Sequence, residues 1–425
     1  MMAQLTDDCF AFSGPLLRLE EMKRLIGDRI SPVRETEFVA LHGACGRVTA
    51  ADLKAPVNLP PFDNSAVDGY AVRHADLNRD SDTRLRLSGR LTAGAPARIG
   101  LGAAEAIRIF TGAAMPGGAD TVFMQEDVRL EGDHVVVPKG LKFGSNRRIA
   151  GEDVSAGSVA LPAGTVMRPQ HVALAAALGF REIAVRRRLS VAIFSTGNEV
   201  IEPGASREGA AIYDSNRVLL TELLERLGAV VTDLGILADN ADMIARALSG
   251  ATDHDLVITT GGVSTGEADH VRSAVERLGS LVFWRLAIKP GRPVAMGVIG
   301  RASNRERAAF VGLPGNPVAV FVTFICVVKP LLGRLSGAKP DKLLPLPVRV
   351  AFAYKKKKDR REYVRVTLKR AEDGEIEAIK HQQDGAGVLT SLTETDGLLE
   401  LPEDVTAVEP GARAGFLSYA ALVGS

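Results

Sequence analysis

Residues 255–279, DLVITTGGVSTGEADHVRSAVERLG, put glycines and carboxylates where a strand hands over to a helix. Leu256-Val257-Ile258 reads as a buried strand, Gly261, Gly262 and Gly266 allow a tight bend, and Val271, Ala274, Val275 and Leu278 repeat at helical spacing. Asp269 falls at the helix entrance. Free amides at a helix N-terminus favour negative charge by roughly 0.3–1 kcal/mol when exposed, so the turn suits a phosphate or another oxyanion. Glu267 and Asp269 oppose a bare anion there, and a cation bridging carboxylate to anion reconciles the two. An isolated glycine pair serves a plain strand-to-helix turn about equally well.

Repetition tips the balance toward a site. SVAIFSTGNEV at 190–200 runs an apolar strand into Thr196-Gly197-Asn198-Glu199, and AAFVGLPGNPVAVFVTF at 308–324 runs another into Pro314-Gly315-Asn316-Pro317. In a doubly wound sheet the carboxyl ends of the strands share one edge, so three such turns can face one crevice. The N-terminal half adds LPPFDNSAVDGYAVR at 59–73, where Asp63, Asn64 and Ser65 can cap turns and Asp63 and Asp68 together exceed what turn geometry requires. At least one of these acids is expected to face a cleft. FTGAAMPGGAD at 110–120 sets Thr111-Gly112 after a strand, and GEDV at 151–154 puts Glu152 and Asp153 in a loop.

Changes of hydrophobic period divide the chain. Leu16, Leu19, Met22, Leu25 and Ile26 form one helical face, after which proline- and glycine-rich extended segments run to about residue 148. Residues 169–179 return to helix, with Pro169 suited to the first turn and Gly179 to the end. A basic linker, Arg186-Arg187-Arg188, leads into strands and helices that alternate from Leu189 to about Leu332, the pattern of a mostly parallel sheet covered on both faces. Pro340, Pro345 and Pro347 mark a second linker, and Val348-Arg349-Val350, Val364-Arg365-Val366 and Gly397 to Leu401 suggest a small β-domain.

The 425 residues predict roughly three domains. A net charge of +1 gathers no nucleic acid in general, and the run Lys355 to Lys358 reads as a solvated loop tip. Cys9, Cys45 and Cys326 lack metal-ligand spacing and suit a reduced, cytoplasmic setting. The start, MMAQLTDDCF, has no signal-peptide order, and the greasiest stretch, Val318 to Val328, is expected to stop at Lys329-Pro330, short of a membrane span.

PPFDNSAVDGYAVR, TGAAMPGGAD, GEDVSAG, FSTGNEV, YDSNR, TTGGVSTGEADH, LAIKPGRPVAMG and GLPGNPVAV occur in the order seen in the molybdopterin molybdenumtransferase (MoeA) family, which is similar to the E domain of gephyrin. The resemblance covers residues from about 15 to 425. It implies a two-part N-terminal region over 1–187 with an inserted lobe at about 60–148, a nucleotide-binding-like α/β domain over 188–336 and a C-terminal β-barrel over 337–425, assembled as an elongated homodimer. It also implies the reaction: adenylylated molybdopterin and molybdate give molybdenum cofactor and AMP, assisted by a divalent cation such as Mg2+. Other proteins of molybdenum cofactor biosynthesis are implied partners; a membrane is not.

Carried over by motif, the family's functional acids fall on Asp68, Asp153, Glu199, Asp239 and Asp269, with Thr111, Lys289, Pro314 and Pro317 at further functional positions. Glu199, Asp239 and Asp269 are assigned to a cation or phosphate site, and the Gly261-Gly262-Val263-Ser264 backbone with Lys289 to holding phosphate and oxyanion. Two carboxylates about 4 Å apart repel by roughly 4 kcal/mol at an effective dielectric near 20, so acids gathered in one cleft call for cations or protonation. Asp68, Thr111 and Asp153 come from another domain and are expected to close the site from a second subunit. Where many relatives read QGSG, this chain has Asp384-Gly385-Ala386-Gly387, which removes a hydroxyl; Thr390 and Ser391 stand nearby. A molybdopterin adenylyltransferase-like enzyme would lack DNSAVDGYA, and a non-catalytic pterin-binding scaffold would not need all five acids.

Overall fold

Along the strand Ser190–Thr196 the apolar side chains alternate between two cores. Val191 and Ile193 pack with Leu220, Leu224 and Phe324 on one face, while Ala192 and Phe194 pack with Ile244, Leu248, Val271 and Phe310 on the other. A period of two with both faces apolar requires helices above and below, and both layers are present. The computed structural model describes residues 16–96, 99–262, 270–300, 308–340 and 343–424. Its central sheet runs in the order Val230–Leu237, Ser190–Thr196, Leu256–Thr260, Ala308–Leu313, Pro293–Ile299, Gly279–Arg285. The first four strands are parallel, and Pro293–Ile299 runs antiparallel to both its neighbours, Ala308–Leu313 and Gly279–Arg285. Parallel pairing places Ser195 beside Thr260 and Thr260 beside Leu313, so three strands end together.

The N-terminal helix Leu19–Arg29 joins this core through Leu19, Met22 and Ile26. Pro317–Thr323 and Lys329–Leu335 are one continuous helical body with a π-helical segment, Phe324–Val328, between them. The expected stop at Lys329-Pro330 is therefore corrected. The Lys329 N–H bonds to Phe324 O, five residues back, and this widened turn lets Pro330, which has no N–H, sit inside the helix. At 19 residues and a mean hydropathy of 2.0, Pro317–Leu335 is long and apolar enough to cross a membrane, yet 72% of its apolar window is buried within the protein.

The inserted lobe is built on a six-stranded sheet in the order Thr121–Met124, Gly69–Val72, Glu105–Ile109, Thr83–Leu91, His134–Val137, Arg129–Glu131. A two-stranded stem, Asn64–Ser65 against Arg147–Arg148, ties its ends together. Arg187 anchors the junction with the α/β region by a bidentate pair to Asp255 at 2.6 and 2.8 Å, and the Ser190 N–H donates to the same carboxylate at 2.8 Å. At the C-terminal end, Arg361–Arg370, Ile376–Lys380, Leu346–Val350, Arg413–Ser418 and Gly397–Leu401 close into a five-stranded barrel. The short strand Ile288–Lys289 pairs with Arg361 and Glu362 at its rim, which fastens the barrel to the α/β domain.

Candidate active site

Three turns meet at the carboxyl edge of the central sheet. The Gly261 N–H donates to Leu313 O at 3.2 Å, and Thr260 Oγ1 donates to Pro314 O at 3.1 Å. Asn216, near the start of the helix Ser215–Arg226, spans the same edge by donating to Thr260 Oγ1 at 3.0 Å and Gly315 O at 2.7 Å. The glycines are required by space as well as by conformation. Gly261 and Gly262 have φ of +83° and +63°, and a Cβ would lie 2.6 Å from Thr196 O at the first and 2.5 Å from Thr196 Oγ1 at the second. Because the Gly261 N–H is already engaged, this residue supplies close packing, and an anion would have to be held by amides further along the turn. Pro317 opens its helix, where a missing N–H costs nothing.

Glu199 and Asp239 stand on adjacent loops of this edge. The Asp239 N–H reaches Asn198 Oδ1 at 3.4 Å, and Asn240 caps the following helix, Ala241–Gly250. Both carboxylates are exposed, and among the described residues neither is ion-paired. Asn216 Oδ1 and Thr196 Oγ1 are buried there without a partner among the described residues. This donor set suits a hydrated divalent cation shared with a substrate phosphate. It is not a complete protein cage: no group of three His, Cys, Asp or Glu side chains converges on one point among the described residues. Asp269 and Ser264 lie outside the described residues.

Lys289 lines a cavity of about 250 Å³ between the α/β domain and the barrel, together with Pro314, Asn316, Tyr354, Arg365 and Asp384. Its ammonium donates to the Tyr354 hydroxyl at 3.1 Å and lies 3.3 Å from Glu362, whose carboxylate also accepts from Tyr354 at 2.8 Å and from Arg360. Burial works to lower the Lys289 pKa, but Tyr354 and Glu362 outweigh it and hold it above the ordinary lysine value. Burial likewise works to raise Glu362, and its hydrogen bonds with Tyr354 and Arg360 bring it below the ordinary carboxylate value. Both shifts describe a charged pair. The segment that replaces QGSG reaches the same cavity. Arg365 donates to Ser391 Oγ at 3.0 Å and to the carbonyls of Gln383 and Gly385 at 3.1 and 3.2 Å, and the Val318 N–H donates to Ala386 O at 3.0 Å. Ser391 thus supports the arginine; Arg365, Glu362 and Tyr354 are site neighbours that strand periodicity gave no reason to single out, whereas Asn216 lies in the YDSNR motif.

The remaining acids lie in and beside the lobe. Asp68, just before the strand Gly69–Val72, takes both the N–H and the hydroxyl of Thr111 on Oδ1, each at 2.8 Å. The backbone bond from Thr111, then its hydroxyl, hold Asp68 below the usual carboxylate range. Asp63 has a different task. It accepts from the Ala150 N–H at 2.7 Å and pairs with Arg147, which clamps the stem of the lobe. Asp153 is exposed, and its N–H donates to Leu59 O at 3.0 Å. The hydrogen bonds of Asp68 and Thr111 stay within the lobe, so within one chain the pair is not bonded to the crevice.

Three family descriptions match consecutive segments: the MoeA N-terminal region (domain I and II) over residues 17–179, a probable molybdopterin binding domain over 192–334 and the MoeA C-terminal region (domain IV) over 347–418. The molybdopterin molybdenumtransferase of Haemophilus influenzae is 37% identical over 412 residues, covering 96% of this chain and 100% of the relative. This chain belongs to the molybdopterin molybdenumtransferase (MoeA) family. The Nostoc sp. molybdopterin molybdenumtransferase is 34% identical over 392 residues, covering 90% of this chain and 88% of that one. Among solved structures, the molybdopterin biosynthesis moeA protein of Pyrococcus horikoshii OT3 superposes with a TM-score of 0.79 at 32% identity, covering 95% of this chain and 100% of that one. The multidomain MoeA fold, with an α/β centre and a closed C-terminal barrel, is therefore that of this chain.

Proposed function

We propose that the chain is a molybdopterin molybdenumtransferase that inserts molybdate into adenylylated molybdopterin and releases AMP. The observation that carries this reading is whole-length membership of the MoeA family combined with the meeting of the Thr196, Gly261 and Pro314 turns beside the exposed carboxylates of Glu199 and Asp239. The crevice binds the phosphate part of the substrate through the amides after Gly261 and the oxygens of Thr196 and Asn216 that have no partner among the described residues. Glu199 and Asp239, with Asp269, would hold a divalent cation such as Mg2+, which when bound offsets the charge of phosphate and carboxylates. Lys289 presents a fixed positive charge to an oxyanion at the barrel side, and Pro314 and Pro317 keep the turn between them rigid. Asp68, Thr111 and Asp153 act from a second subunit of a homodimer, in the cytoplasm.

The test is to incubate purified protein with adenylylated molybdopterin, Mg2+ and molybdate and to follow AMP. AMP release that requires molybdate is expected. Release at the same rate without molybdate, or none with it, refutes the reading.

A further inference from the structure

Most described arginines of the lobe are ion-paired. Arg73, Arg84, Arg86, Arg129, Arg147 and Arg148 each meet a carboxylate. Arg90 and Arg108 do not form an ion pair with any carboxylate among the described residues, although they are direct partners across the neighbouring strands Thr83–Leu91 and Glu105–Ile109. Like charges opposite one another on a sheet face repel. Aromatic rings hold them in place instead. Arg108 stands 4.9 Å from the Tyr70 ring centre and 5.1 Å from that of Phe110, and Arg90 stands 4.7 Å from Phe110. Stacking uses the guanidinium faces and leaves the N–H edges for other partners. One edge of Arg108 donates to Gln125, a neutral acceptor. Phe110 precedes Thr111, so this stack adjoins the Asp68 pair, and the charge of Arg108 contributes to holding Asp68 ionised.

We infer that Arg90 and Arg108 form a binding site for a tetrahedral oxyanion on the lobe, beside Asp68 and Thr111, and that its natural occupant is a phosphate group of the substrate. Fork-shaped N–H edges match phosphate oxygens in pairs, and an anion there relieves the repulsion between the two cations. Phosphate and molybdate share this geometry. Identifying the occupant as substrate phosphate rests on the proposed function, whereas the site itself does not.

The experiment compares the full-length protein with Arg90→Gln and Arg108→Gln, titrating inorganic pyrophosphate by calorimetry and measuring KM for both substrates. Arg90 is exposed, so its variant tests the site without touching the core. Loss of one charged fork should weaken pyrophosphate binding about tenfold in Arg108→Gln and less in Arg90→Gln. A parallel rise in KM for adenylylated molybdopterin supports phosphate as the occupant, and a rise confined to KM for molybdate supports the site with molybdate in it. If wild type turns over neither substrate yet loses pyrophosphate binding on substitution, the site stands and the proposed reaction falls. Unchanged pyrophosphate binding in both variants, each melting as wild type does, overturns the inference.

Discussion

Lys289 Nζ lies 3.3 Å from Glu362 Oε2, and the same two residues are register partners in the backbone pairing that fastens the barrel to the α/β domain. Glu362 is 1% exposed and also bonds Tyr354 and Arg360, so one buried carboxylate fixes the lysine and a tyrosine of the cavity wall and the neighbouring Arg360. Glu362→Gln should cost roughly 1–3 kcal/mol of stability, because it leaves Arg360 and the half-exposed Lys289 without their carboxylate. It should also move the alkaline limb of activity. Lys289 is raised in the folded protein, so its contribution is fully present below the unfolded lysine value of about 10.4 and is lost as pH rises through the folded value. Without Glu362 one of the two groups that raise Lys289 is lost, the lysine loses its proton sooner, and kcat/KM should fall at lower pH than in wild type. A pH profile of AMP release on both proteins checks this, and coincident alkaline limbs contradict it.

Gly261→Ala should disable the crevice while sparing the lobe. The added methyl would sit 2.6 Å from a backbone carbonyl, which cannot rotate away, at a φ that costs an alanine about 1–2 kcal/mol before any clash. A lowered melting temperature with kcat/KM reduced at least tenfold is expected, whereas Gly315→Ala, where nothing lies within 4 Å, should melt as wild type does. Equal stability of all three proteins would show that the close approach to Thr196 is unimportant.

Asp63 should control the acid stability of the lobe. The Ala150 N–H first and then Arg147 hold its carboxyl below the ordinary value, against the opposing effect of burial. A depressed carboxylate contributes stability that is present above the unfolded value, about 3.9, and is lost as pH falls through the folded one. Asp63→Asn should therefore lower the melting temperature at pH 7, by roughly 1–3 kcal/mol in free energy, and the gap to wild type should shrink below about pH 4. Melting curves at pH 7, 5 and 3 measure the gap, and one that widens on acidification excludes this role.

Much of this architecture was legible in the chain because it rests on local rules. Helical spacing located the buried face of His270–Leu278 through Val271, Ala274 and Val275, and Pro169 and Gly179 marked the ends of Pro169–Ala177. The helix running through Pro330 was not legible, since the π-turn that accommodates the proline depends on the packing around it and has no local sequence pattern. The site divided the same way. Gly261, Gly262 and the acid-bearing turns stand out in sequence because backbone conformation demands unusual residues there. Asp63 and Asp68 look alike in sequence, yet Arg147, 84 residues away, makes the first a structural clamp. Glu362 is one polar residue in an alternating strand, and only the pairing of Ile288–Lys289 with the barrel rim brings Lys289 to it. Long-range pairings of this kind leave no local trace.

In the function proposed here, Asp68 of the lobe and Glu199 of the crevice act on one substrate molecule, although their hydrogen bonds keep them in separate parts of a single chain. Subunit mixing tests this directly. Asp68→Asn and Glu199→Gln homodimers should each release AMP at a small fraction of the wild-type rate, and co-folded heterodimers should recover up to about half of it, because one of their two sites carries both native acids. Recovery of molybdate-dependent AMP release in purified heterodimers is the predicted result; heterodimers as inactive as their parents would contradict it.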